Sequence, residues 1–133
     1  MTRYVVDAQT LLHIVTTGIQ VHPDHRLIAP DRVRSEALEL LYTQVRRGEL
    51  AEDEALRLHV RLTEVKMRLL GDRVSRRTAW SIAREHDWEH ISPAEYLAVA
   101  RLQADALITV DTSLARLADG VVPLATVEDL SKP

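Results

Sequence analysis

Three acidic residues, far apart in the chain, have the types and settings that chemistry needs. Asp7 ends the β-branched and aromatic run Arg3-Tyr4-Val5-Val6, and Asp111 ends Ala106-Leu107-Ile108-Thr109-Val110. Each is followed by a helix-like segment, Thr10 to Val15 in one case and Thr112 to Leu117 in the other. A short, nearly continuous apolar run reads as a buried parallel strand, and open α/β sheets bind ligands at the carboxyl ends of such strands. Glu36 lies three residues after Val33 and four before Leu40, at the margin of an apolar helical stripe. Carboxylates gathered without cysteine bind hard cations such as Mg²⁺ or Mn²⁺, and such ions activate water and neutralise charge in phosphodiester cleavage. The three acids form one such cluster if the Glu36 helix packs beside the first strand. Each aspartate is equally explained as a helix N-cap, and Glu36 alone as a surface glutamate.

The elements that must position these acids alternate. After the first strand and helix, Gly18 to Arg26 reads as a loop and Leu27-Ile28-Ala29 as a second strand. Pro30-Asp31 opens a helix with Asp31 as N-cap, carrying Val33, Ala37, Leu40, Leu41 and Val45 at helical spacing and ending at Gly48. A third helix is expected from about Ala51 to Leu70, with Leu56, Val60, Thr63, Met67 and Leu70 on its apolar side. Val74 to His86 forms another, with Trp80, Ile82 and Ala83 as core candidates. Asp87 to His90 connects to a helix capped by Ser92, with Pro93 in its first turn and Tyr96, Leu97, Val99, Ala100 and Leu102 as its packing face. The Ala106 to Val110 strand, a short helix to Ala118 and a last strand near Val121 to Leu124 follow. This alternation specifies a parallel sheet covered on both faces. Right-handed crossovers leave both acid-tipped strand ends on one edge, where Asp7 and Asp111 can converge.

The chain has 133 residues, which sets the expectation of one domain over 1–133 with a substantial core. There is no Phe, so Leu, Val, Ile and Ala must build that core, and with no Cys there are neither disulfides nor thiolate metal sites. No stretch approaches the ~20 apolar residues that span a bilayer, and no leader-like segment is visible, so a cytoplasmic setting is expected. Net charge is -3, yet from Arg32 to Arg77 there are 11 Lys/Arg against 8 Asp/Glu, and elsewhere 6 against 12. A basic middle permits an anionic polymer to lie on one face, although ordinary solvated helix faces also explain the excess.

Tyr4-Val5-Val6-Asp7-Ala8, Ala29-Pro30 followed by Glu36, and Ala94-Glu95-Tyr96-Leu97-Ala98-Val99-Ala100 running into Leu107-Ile108-Thr109-Val110-Asp111 resemble the PIN-domain toxins of VapBC toxin-antitoxin modules. The motifs are individually short, and their order and spacing over nearly the whole chain carry the resemblance. It implies a PIN-like three-layer α/β/α fold with a central parallel sheet. It also implies a Mg²⁺- or Mn²⁺-dependent endoribonuclease that cuts structured RNA, is restrained by a cognate VapB-like antitoxin and forms a homodimer. The family's acids fall on Asp7, Glu36 and Asp111, and the helix around Ala51 to Leu70 with the one before it is where self-association or antitoxin docking is expected.

Two departures matter. Where the family has a further aspartate beginning the helix before the Asp111 strand, directly followed by Ala and two residues later by Tyr, this chain has Pro93, which ligates nothing. The Ser or Thr often found two residues after the first acid is Gln9 here, leaving the support of the cluster in question. Glu95 is a candidate fourth metal ligand if its longer side chain curls back toward the helix start, but Ser92-Pro93-Ala94-Glu95 also reads as a capping box. The alternative function is therefore a PIN-like protein with weakened catalysis that binds an antitoxin or RNA. His22-Pro23-Asp24-His25 offers two imidazoles without an evident third ligand. A phosphoacceptor receiver domain would need a paired acid near the first strand and a lysine after a late strand, and the only lysines are Lys66 and Lys132.

Overall fold

The computed structural model describes residues 1–133. Strand β1 (Thr2–Val6) leads through helix α1 (Ala8–Thr17) to β2 (His25–Pro30), then α2 (Val33–Arg46), α3 (Glu52–Glu64) and β3 (Arg68–Leu70). Helices α4 (Arg73–Glu85) and α5 (Ser92–Gln103) precede β4 (Ala106–Ile108), α6 (Thr112–Ala118), β5 (Leu124–Ala125) and a terminal 3₁₀ turn (Val127–Ser131). All five strands are parallel, in the order β3-β2-β1-β4-β5. Strand β1 pairs with β2 on one side and β4 on the other, so it is central and buried on both faces, as its unbroken apolar run requires. Val6 pairs with Ile108, which brings the ends of β1 and β4 level on one sheet edge.

Alternation along the strands divides the core. Val5, Ile28 and Leu107 face the larger cluster, with Leu11, Leu62, Ile82 and Leu97 from four different helices. Tyr4, Val6, Leu27 and Ile108 face a smaller one, closed by Ile14 of α1 and Leu130 of the terminal turn. Helix α5 lies across β1, β2 and β4, so its amino end is fixed relative to the strands that carry the acids. Gly18, left-handed at φ 76°, closes α1 by donating to the Ile14 carbonyl.

Several expected elements change. The third helix stops at Glu64, and Arg68–Leu70 forms an edge strand on β2. Its buried face is Ala55, Leu58 and Leu62, while Leu56 and Val60 face solvent. Trp80 is 65% exposed rather than core, whereas Ile82 and Ala83 are buried. Asp31 does not cap α2: Arg32 holds that position, and the Asp31 amide donates to the Leu70 carbonyl, tying β2 to β3. A Cβ at Gly71 would stand 2.0 Å from Asp31 Oδ2, so a larger residue there would turn the exposed Asp31 side chain aside. The last strand is Leu124–Ala125, a little later than the apolar run Val121 to Leu124 suggests. No helix is long and apolar enough to cross a membrane.

Candidate active site at the carboxyl edge of the sheet

A pocket of about 420 Å³ opens at this edge, and Asp7, Glu36 and Asp111 all line it, together with Pro93 and Tyr96. Asp7 reaches it from the end of β1, Asp111 from the turn after β4, Glu36 from the first turn of α2, and Pro93 and Tyr96 from the start of α5. The pairing of Val6 with Ile108 and the packing of α1 on α2 bring together acids separated by 104 positions at most in a chain of this length.

Asp7 is only 5% exposed. It occupies the N-cap position of α1 but makes no side-chain cap; instead the Thr10 hydroxyl donates to Asp7 Oδ1. Thr10 is fully buried and its oxygen accepts from the Val110 amide at 3.0 Å, so one hydroxyl joins the ends of β1 and β4. Thr10 is the positioning residue that the Gln9 departure left unassigned. Its spacing, three after the acid in the first helical turn, is a signal the sequence carries. Burial pushes the Asp7 carboxyl above the ordinary aspartate range, and hydrogen bonding from Thr10 and Thr109 draws it part of the way back. Thr10→Val should therefore cost about 1–2 kcal/mol, since it strips a partner from both the Val110 amide and the carboxylate. Urea unfolding of the variant checks this, and a cost near zero would deny Thr10 its joining role.

Asp111 is the conventional cap: Oδ1 accepts from the Ser113 amide at 2.9 Å, and the Asp111 amide donates to Thr109 Oγ1 at 3.0 Å. The N-cap explanation thus holds for Asp111 and fails for Asp7.

Arg32 dominates the electrostatics on the α2 side. Its Nη1 donates to Glu95 Oε2 across 63 positions, while Nε lies against Glu36 Oε1 without hydrogen-bond alignment. The guanidinium is held above its usual range, first by the hydrogen bond to Glu95 and, against the cost of burial, by the charge of Glu36. Glu95 consequently neither caps α5 nor lines the pocket; α5 begins at Ser92, with Ile91 in the capping position and no side-chain cap, so Ser92-Pro93-Ala94-Glu95 does not form the expected capping box. The Tyr96 hydroxyl is buried without a partner, and burial, then the Glu36 and Asp7 carboxylates, push it above the ordinary phenol range. It remains a protonated donor beside two acids. His25 is buried in β2 with Nε2 against the Lys132 carbonyl, so the His22–His25 loop provides no paired metal ligands.

The donor set fits Mg²⁺ or Mn²⁺ in kind: hard oxygens, no sulfur, and one buried polar atom, the Tyr96 hydroxyl, without a hydrogen-bond partner. With Arg32 on Glu36, no group of three acids or histidines stands at ligating distance of one point.

No family model matches the chain, and no curated protein matches it. Solved structures do. PAE2754 from Pyrobaculum aerophilum has a TM-score of 0.72 at 20% identity, over 98% of this chain and 94% of that one. VapBC-1 from nontypeable Haemophilus influenzae, determined at 2.2 Å, has a TM-score of 0.62 at 14% identity, over 95% of this chain and 98% of that one. At such identities the likeness is one of fold, and it extends over nearly the full length of all three chains. The architecture, five parallel strands with acids at the carboxyl ends of the central pair, is the PIN-like three-layer α/β/α fold that the sequence motifs implied.

Proposed function

We propose that this chain is a Mg²⁺- or Mn²⁺-dependent endoribonuclease acting as the toxin of a type II toxin-antitoxin module on structured RNA in the cytoplasm. The observation that carries the reading is the lining of one pocket, at the carboxyl edge of a PIN-like sheet, by Asp7, Glu36 and Asp111. Those three acids would hold the cation; Glu95 is a fourth candidate once Arg32 releases it. When bound, the cation supplies Lewis acidity at the scissile phosphate and lowers the pKa of an attacking water. The chain's own residues do the rest. Thr10 holds the Asp7 carboxylate, the Tyr96 phenol is an unpartnered donor in the pocket lining, and Arg32 is a cation placed to meet a phosphate when it leaves the acids.

The antitoxin is assigned to the groove between α2 and α3. Leu38, Tyr42 and Leu56 are exposed there beside Leu41, Val45 and Ala55, an apolar strip suited to an amphipathic helix or to a second copy of the chain. Incubating a folded RNA with the protein in Mn²⁺, in Mg²⁺ and in EDTA tests the catalytic reading. Defined internal cuts with either ion and none in EDTA are expected; an intact RNA under all three conditions would sink it.

A second reading, a PIN-like binding protein with weakened catalysis, is favoured by Pro93 in the pocket wall and by Arg32 engaging two acids at once. It keeps the antitoxin or RNA partner and drops the turnover.

A further inference from the structure

Helix α4 packs on α5 through Ser75, Ala79, Ile82 and Ala83. Its opposite side carries a cluster of arginines around one tryptophan. At about 100° per residue, Arg73, Arg76, Arg77, Trp80 and Arg84 fall within an arc of about 100°, and all five are exposed. Together with Ser81 they line a shallow cleft. Arg76 is paired with Asp31 at 3.6 Å, while Arg73, Arg77 and Arg84 have no carboxylate partner. The Arg76–Asp31 pair also locates the strip: Asp31 directly follows β2, so one end of the cationic face lies at the same sheet edge as Asp7 and Asp111.

An exposed indole among guanidinium groups that lack carboxylate partners has a matching ligand. Bases stack on an aromatic face, and phosphates pair with arginine forks. We propose that the outer face of α4 binds single-stranded RNA, with Trp80 stacked on a base and Arg73, Arg77 and Arg84 on adjacent phosphates. Helical spacing places Trp80 between Arg77 and Arg84, so one unpaired base can insert while its flanking phosphates are held on both sides. The proposal reaches beyond the nuclease reading, because binding at this face requires neither a cation nor the three acids.

The test is carried out in EDTA on Asp7→Asn protein, so that binding is measured without cleavage and its failure leaves the nuclease reading standing. A fluorescein-labelled 12-nucleotide oligouridylate is the probe, followed by anisotropy and by quenching of tryptophan emission, with Trp88, stacked on His86, as the internal reference. Trp80→Ala is expected to bind about tenfold more weakly and Trp80→Tyr to keep most of the affinity. Arg77→Gln with Arg84→Gln should lower the slope of log affinity against log salt by about 1.4. Wild-type affinity in Trp80→Ala, an unchanged salt slope in the arginine double variant, or equal affinity for a fully paired RNA duplex would each overturn the assignment. So would displacement of the oligonucleotide by an equimolar 12-residue polyglutamate, which would make the face a docking site for an acidic protein segment.

Discussion

Asp7→Asn is expected to reduce metal-dependent RNA cleavage at least a hundredfold while raising the melting temperature of the metal-free protein. The two effects have one cause. Asp7 is a carboxylate 5% exposed to water, with its pKa raised chiefly by burial. A charge kept there destabilises the empty fold; it is useful only when a cation is present to meet it. Asparagine keeps the oxygen that accepts from Thr10 and removes the charge, so the fold gains on the order of 1 kcal/mol, or about 3–5 °C. Under the proposed nuclease function Asp7 is a charged metal ligand, and the hundredfold loss expected on its removal is about 2.7 kcal/mol of transition-state stabilisation.

The sign of the pH dependence follows from the raised pKa. Because folded Asp7 binds its proton more tightly than the unfolded chain does, the penalty is absent below the unfolded pKa, near 3.8, and grows as pH rises through the folded value. Above that it is constant. The stability difference between wild type and Asp7→Asn should therefore vanish in acid and grow with pH until Asp7 is ionised in both states. Differential scanning calorimetry in EDTA at several pH values, beside the cleavage assay, measures both halves. A variant that cuts RNA at the wild-type rate, or one that melts lower at neutral pH, removes Asp7 from the role assigned to it.

What could be read from the residues was whatever depends on short runs and their order. Tyr4-Val5-Val6-Asp7 and Leu107-Ile108 announce buried parallel strands because two-sided burial leaves no polar alternation, and the crossover rule then puts Asp7 and Asp111 on one edge. Glu36 at the stripe's margin follows from helical period alone. What was hidden depends on contacts across the chain. Arg68–Leu70 continues the apolar spacing of the preceding helix, and three residues are too few for strand alternation to register; only the β2 edge and the Asp31–Leu70 hydrogen bond make it a strand. Trp80 reads as core on hydrophobicity, but it lies on the arginine side of α4, where Ala79, Ile82 and Ala83 define the buried face. Ser92-Pro93-Ala94-Glu95 has every residue of a capping box, and Arg32, 63 positions from Glu95, redirects the glutamate instead.

Arg32→Gln is expected to tighten Mn²⁺ binding about tenfold while lowering the stability of the metal-free protein. Arg32 now neutralises Glu36 and Glu95 together, acting as an internal cation on the α2 side of the pocket. A divalent ion using Glu36, as proposed, would have to displace it, and part of its affinity would go into breaking that contact. Glutamine is too short and uncharged to hold both carboxylates. Glu36 is then free for the ion, but two acids are left close together; with Arg32 and Glu36 partly exposed, the loss to the apo fold is about 1 kcal/mol. The distinguishing measurement is the melting temperature with and without saturating Mn²⁺. The metal-induced rise should grow by the equivalent of about 1.4 kcal/mol for the tenfold gain, so that the variant starts below wild type and ends level with or above it. Pro93→Asp gives an independent arm, because it adds a carboxylate to the pocket wall at a helix start where an acid suits the dipole. If that change strengthens Mn²⁺ binding and Arg32→Gln does not, the ion sits near α5 and Glu36 belongs to Arg32. If both strengthen it, additively, the guanidinium holds the cation's place in the resting protein, and access to the acids is set by how readily Arg32 gives way.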